Sequence, residues 1–400
     1  MKKKLFLALS LVAASLLTLS AQPFDRVTTW ATALQVVEPH NIPPEPGLAG
    51  NSIRQIVQIS IGGKDLQLRL SNYYSDTETE ILGVEIARAK TMGSSPEIDE
   101  RSSVELTFDG QRAFSMMPGV DIVSDPVRFK TSDRENLAIT IHYGKIGTAK
   151  MTGHPGSRTT SYIAAGNTTD FSAPAARTDH WYTISAIDVK PRRRNAAAVA
   201  VLGDSITDGR GTTTNGQDRW TDQLSRSLLK DRRTRHLAVL NFGLGGNCVL
   251  RGGLGPTGLT RYKHDLLEVC GVKYIILFEG TNDLGTTRDA ALTEKGLEAA
   301  WKQIAQDAHE RGIRVFGATV TPVKGNGYYS EEHERARQAF NDWIRTSGTF
   351  DGVIDFDRMV ADPQDPIRLD PSWLFENDWL HLNAAGYELM GTGIDRRLFY

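Results

Sequence analysis

After residue 195 the chain keeps repeating one unit, a short apolar run followed by a loop and a stretch of helical periodicity. The apolar runs fall at 196–202, 237–241, 274–278, 315–319 and 353–356. Each is too short for a buried helix, and most are apolar on both faces, which is the pattern of a strand covered from two sides. Helical periodicity intervenes at 218–229, 259–269, 292–311 and 331–346, and a last stretch follows Asn383. Strands separated by helices run parallel, because a right-handed crossover brings the chain back to the same edge of the sheet. The expectation for 195–400 is a parallel, doubly wound α/β sheet whose ligands gather at the carboxyl ends of the strands.

Residues 22–190 have a different character. Strand periods dominate: 53–61 alternates in part, Gly62 and Gly63 offer a turn, and 66–70 alternates cleanly, which together predict a hairpin. Further strands are expected at 81–87, 103–108, 127–129, 136–143 and 182–189, with Gly, Pro, Asn and Asp between them. Many short strands at such spacing predict a β-sandwich domain. Arg192, Arg193 and Arg194 then read as a solvated linker, too short for a freely tethered module. The sandwich is expected to pack on the α/β domain and contribute to the wall of its site.

The first 21 residues read as a secretory signal. Lys2, Lys3 and Lys4 precede an apolar run from Leu5 to Leu19, and Ser20 and Ala21 offer small residues for cleavage before Gln22. The run is shorter than the roughly 20 residues of a spanning helix. Cleavage removes three lysines and no acids, taking the formal charge from -2 to -5. A secreted or periplasmic protein, mildly acidic and without a membrane anchor, is expected. This balance gives no electrostatic reason for a nucleic-acid partner.

Export would permit a bridge between the two cysteines, Cys248 and Cys270. Their settings, one after a glycine-rich loop and one at the end of a helical stretch, favour two free thiols. The nine histidines are scattered and no paired-cysteine spacing occurs, so no metal site and no cofactor are expected.

Ser205 follows the first expected strand on a turn begun by Gly203 and Asp204. Alone it would read as a helix cap. A serine hydroxyl becomes a nucleophile only beside a base, and His381, with Asp378 three residues earlier, supplies a base and a carboxylate to orient it. Acyl transfer also needs donors for the oxyanion. Gly246 follows the second strand and Asn282 the third, at the same sheet edge, where a backbone N–H and a side-chain amide could serve. Asp204 and Asp283 are expected to fix loop geometry.

With these residues in place, the chain resembles the SGNH or GDSL hydrolase superfamily. The matching blocks are Gly203-Asp204-Ser205-Ile206, Gly246, Gly280-Thr281-Asn282-Asp283, and Asp378 with His381; Ile206 stands where that motif has leucine. The resemblance implies a flavodoxin-like three-layer α/β/α fold and metal-free ester hydrolysis. It also implies roles: Ser205 as nucleophile, His381 as base and then acid, and Asp378 as its partner, with an oxyanion hole from the Ser205 and Gly246 N–H groups and the Asn282 amide. The stretch 245–256, followed by 279–285, is similar to a subgroup of these esterases associated with plant cell-wall degradation.

That similarity points to an acylated carbohydrate as the partner substrate, with acetyl groups removed from a hemicellulose such as xylan. Trp181, Trp220, Trp373 and Trp379 are candidates for a sugar subsite, although most tryptophans serve packing. An arylesterase or a lysophospholipase-like acylhydrolase would share the same triad. A non-catalytic carbohydrate-binding protein would keep the two domains but lose a catalytic group, and a metal-dependent deacetylase would need a ligand cluster.

Overall fold

A computed structural model describes residues 25–400; the expected signal at 1–21 lies outside the described residues. The C-terminal sheet has five parallel strands in the spatial order Leu237–Gly243, Ala197–Gly203, Val272–Phe278, Arg314–Ala318 and Gly352–Ile354. The order reverses at the strand Ala197–Gly203, so its carboxyl end opens onto the crevice where such sheets bind ligands.

Alternation along that strand feeds two separate apolar cores. Ala198, Ala200 and Leu202 pack with Leu297, Trp301 and Ile304 of the helix Ala290–His309, and with Phe340 of Glu331–Thr346. Ala197, Val199 and Val201 instead join Leu224 and Leu228 of Trp220–Lys230, and Tyr387 and Met390 of Ala384–Gly393. Because successive side chains leave a strand on opposite faces, the apolar run must be covered twice.

The N-terminal region is β-rich. One antiparallel sheet runs Val27–Ala31, Ile184–Pro191, Gly63–Ser71, Asp121–Val123. A larger one runs Ala176–Thr178, Ser161–Ala164, Ser52–Gln58, Asn136–Tyr143, Thr79–Ala89, Ile98–Leu106, with Phe114–Met116 beside Thr79–Ala89. Leu66, Leu68 and Ile187 of the first share an apolar core with Ile53, Val57, Ile139 and Ile141 of the second.

This arrangement overturns the expected hairpin across Gly62 and Gly63. Ser52–Gln58 pairs with Asn136–Tyr143 and Ser161–Ala164, whereas Gly63–Ser71 pairs with Ile184–Pro191 and Asp121–Val123. The glycines carry the chain between sheets at a crowded corner. A Cβ on Gly62 would lie 2.4 Å from the Thr131 carbonyl oxygen, and one on Gly63 2.6 Å from Val189 Cβ. The stretch 127–129 makes only an isolated bridge from Val127 to Leu66.

The two regions are closely joined. Val27–Ala31 lies along the outer strand Leu237–Gly243: Thr32 bridges Asn241, and the Ser60 hydroxyl donates to the Val239 carbonyl at 2.8 Å. This covers the edge of the parallel sheet. The linker is pinned at one point, since Arg193 makes a two-pronged ion pair with Asp133 at 2.8 and 2.6 Å, while Arg192, Arg194 and Asn195 are exposed.

Candidate active site

Ser205 heads a single helical turn, Ser205–Asp208, directly after the strand Ala197–Gly203. Three local features build it. A Cβ on Gly203 would lie 2.2 Å from the Thr207 hydroxyl, so only glycine lets the strand end this close to the turn. Asp204 caps the turn by accepting the Ile206 N–H at 3.0 Å. Gly209, at φ +96°, closes it with its N–H donated to the Ser205 carbonyl at 2.9 Å. The first N–H groups of a helix have no partner within it, so the Ser205 amide is free to face a ligand.

The structure brings Ser205, His381 and Asp378 into one line. The Ser205 hydroxyl lies 2.8 Å from His381 Nε2, and His381 Nδ1 lies 2.6 Å from Asp378 Oδ2. With Nδ1–H donated to the carboxylate, Nε2 is left as the acceptor for the serine proton. Asp378 Oδ1 accepts the N–H groups of Leu380 and His381 at 3.0 and 2.8 Å. Burial alone would raise this carboxyl, but the bonds from the His381 ring and backbone outweigh it and hold Asp378 below its usual range.

The turn bearing Asp378 is strained, with Asn377 and Trp379 at φ +57° and +56°. For tryptophan this is an uncommon conformation that neighbours must impose. The loop after the fourth strand does so. Asn326 Nδ2 donates to the Asp378 carbonyl at 2.7 Å, and the Trp379 ring lies where a Cβ on Gly325 would be, 2.6 Å from its Cγ.

Gly246 lies on the loop after the strand Leu237–Gly243, and Asn282 in the short helix Thr281–Thr286 that follows Val272–Phe278. Gly246 is left-handed at φ +67°. The Asn282 amide has a defined orientation, because Tyr328 donates its hydroxyl to Oδ1 at 3.0 Å and Nδ2 donates to the Asn247 carbonyl at 2.8 Å. One N–H of Nδ2 is then left over. Asp283 holds the glycine-rich loop by accepting the Val249 and Leu250 N–H groups at 2.8 and 2.9 Å. Asp204 and Asp283 thus shape loops in the way their positions predict. Burial, with Asp283 as a like-charged neighbour, pushes Asp204 up to about 7.

Four participants escape the sequence reading: Gly325, Asn326, Tyr328 and Arg261. Arg261 is fully buried and ties the loops from beneath. It donates to the carbonyls of Gly203 and Phe242 at 3.0 and 2.7 Å, to Asn247 Oδ1 at 3.0 Å and to Asp265 at 2.9 Å. Its other acidic neighbour, Glu279, lies 3.7 Å away and is itself without a hydrogen bond. Burial pushes that carboxyl up to about 8 despite the guanidinium. Gly325, Asn326 and Tyr328 lie in the loop after Arg314–Ala318, and Arg261 lies in the short helix Gly258–Tyr262, within a stretch whose helical periodicity gave no sign of its role.

Of the four candidate tryptophans, Trp181 and Trp220 are buried in cores, whereas Trp373 and Trp379 are half-buried in the segment that carries Asp378. Cys248 and Cys270 are both free thiols. No group of histidine, cysteine and acidic residues among the described residues has the arrangement of a metal site.

A Ser–His–Asp line at the carboxyl edge of a parallel α/β sheet is an arrangement able to carry out acyl transfer. Residues 201–389 match the model of the GDSL-like Lipase/Acylhydrolase family. No curated protein matches the chain. Similar solved structures include an acetyl xylan esterase from Geobacillus stearothermophilus, 18% identical, covering 51% of this chain and 94% of its own with a TM-score of 0.38. Another is the acetyl xylan esterase AlAXEase, 19% identical, covering 48% and 96% with a TM-score of 0.35. A member of the lipolytic protein G-D-S-L family from Veillonella parvula is 20% identical, covering 49% and 94% with a TM-score of 0.34.

Proposed function

We propose that the protein is a secreted or periplasmic serine esterase that removes short acyl groups, acetyl in particular, from carbohydrate such as acetylated xylan. The observation that carries the chemistry is the unbroken line from Ser205 through His381 to Asp378. In this reading Ser205 Oγ attacks the ester carbonyl as His381 Nε2 takes its proton. The oxyanion is held by the Ser205 and Gly246 N–H groups and the remaining Asn282 N–H. His381 then protonates the departing sugar oxygen, leaving an acyl-enzyme. Water, deprotonated by His381, attacks it and releases the carboxylic acid, and the proton returns to Ser205.

The glycan part rests on the sequence similarity of 245–256 and 279–285, and on half-buried Phe375 and Trp379 in the segment that carries Asp378, aromatic rings suited to stacking on a sugar. The same proposal takes 22–190 as a β-sandwich accessory domain and 195–400 as a three-layer α/β/α domain. The test is acetate release from acetylated xylan, from other acetylated glycans and from simple esters of increasing acyl length. Equal rates on short and long esters with none on glycans would sink the deacetylase reading. Full turnover by Ser205→Ala would sink the serine mechanism.

A further inference from the structure

The helical turn that carries Ser205 has four residues and cannot hold its own shape, since a helix this short has not recovered the cost of nucleation. Its geometry is set by what grips it. From the C-terminal domain, Asn241 Nδ2 donates to the Thr207 carbonyl at 2.7 Å. The other grip comes from the N-terminal region. Asp208, the last residue of the turn, is buried, and both carboxylate oxygens are taken by residues of the segment 154–158. His154 Nε2 lies 3.0 Å from Oδ1 and Arg158 Nη2 lies 3.1 Å from Oδ2. Burial alone would raise this carboxyl, but Arg158 and His154 outweigh it and hold Asp208 below its usual range.

The grip runs in both directions across the domain boundary. Arg219, from the C-terminal domain, donates Nε to the Asp208 carbonyl at 2.8 Å and Nη2 to the carbonyls of Gly156 and Ser157. Gly156 lies against the carboxylate so closely that a Cβ would be 1.9 Å from Asp208 Oδ2. His154 is fixed in turn, with Nδ1 2.8 Å from the Ala33 carbonyl and its ring stacked on Trp181 at 5.6 Å. Within the turn, the Asp208 N–H reaches the Asp204 carbonyl at 2.8 Å, so a shift at Asp208 is passed to the residues flanking Ser205.

We infer that the N-terminal domain is a working part of the active site: the segment 154–158 locks the nucleophile turn through Asp208, and His154 and Arg158 are positioning residues for Ser205. This rests on Ser205 being the nucleophile and goes beyond the wall-forming role expected of that domain. Loss of the lock leaves substrate binding in place and lets Ser205 wander from His381, so kcat falls while KM holds.

The experiment uses the full chain carrying Arg158→Met, Arg158→Lys, Asp208→Asn or His154→Gln, studied well below each melting midpoint. Two quantities are read: kcat and KM on a small acetate ester, and the rate of Ser205 labelling by a serine-directed phosphonate, which needs no knowledge of the natural substrate. Arg158→Met and Asp208→Asn are expected to lower kcat and labelling by about ten- to a hundredfold, the range for a hydrogen bond to a charged group. KM should stay nearly constant and Arg158→Lys should recover much of the loss. Arg158 is partly exposed, so its replacement disturbs the packing less than Asp208→Asn does. Unchanged kcat and labelling in folded Arg158→Met overturn the inference and leave the esterase reading standing. A wild-type protein inert to the phosphonate overturns the assignment of Ser205, and the lock with it.

Discussion

Replacing Asn282 tests the oxyanion geometry most directly. Its amide has two hydrogens, of which one is spent on the Asn247 carbonyl, while Oδ1 is occupied by the Tyr328 hydroxyl. A single N–H therefore remains for a developing negative charge. Asn282→Ala deletes that donor, and deletion of one such donor lowers kcat by roughly 10²–10³, or about 2.7–4 kcal/mol. Asn282→Asp should be worse, because a carboxylate cannot donate, opposes the oxyanion and sets a second acceptor against the Asn247 carbonyl. Tyr328→Phe keeps the ring and loses only the bond that orients the amide. A neutral hydrogen bond of about 1 kcal/mol corresponds to roughly a fivefold loss. Steady-state rates on a small acetate ester, with kcat and KM separated, should rank wild type above Tyr328→Phe, then Asn282→Ala, then Asn282→Asp. An Asn282→Ala enzyme with wild-type kcat would refute the assignment, and an Asn282→Asp enzyme faster than Asn282→Ala would refute the electrostatic argument.

His264 joins the N-terminal β-rich region to the parallel-sheet region, 2.8 Å from Asp121 and 2.9 Å from Asp265. Burial would lower its ring, but those two carboxylates outweigh this and push it up to about 10. A raised histidine stabilises fully below its unfolded value of about 6.5 and loses that contribution as pH climbs through the folded value. The melting midpoint of wild type relative to His264→Gln should therefore shrink between those limits, and a pH-independent difference would contradict the pairing. Gly325→Ala should cost stability by about 1–3 kcal/mol through its φ of +105°. It should also lower kcat by displacing Trp379 and the Asp378 turn; a melting shift without a kinetic one would separate the two. Burial pushes the Cys270 thiol up to about 11 and Cys248 higher still. Both should react slowly with a thiol reagent near neutral pH in the native state and fully after unfolding, and a disulfide found by mass measurement would count against the geometry.

All five strands of the parallel sheet were legible in the sequence, which also marked Ser205, His381 and Asp378, brought into one line by the fold, and Gly246 and Asn282 as candidate donors. Strands covered on both faces are written as unbroken apolar runs, and the turns at their ends must use residues such as Gly203 and Asp204 that fit a tight chain reversal. Such information is local. The partners of those residues were decided only by the tertiary structure. Tyr328 meets Asn282 across 46 residues, Asn326 meets the Asp378 carbonyl across 52, and His154 meets Asp208 across 54. Nothing within a few positions of each residue records such a meeting. The corner at Gly62 and Gly63 shows the same limit, because alternating strands on either side of a glycine pair bury the same apolar residues whether the chain folds back or crosses between sheets. Periodicity tells which side chains face a core, and only the packed fold tells which strand, and which domain, stands on the other side of it.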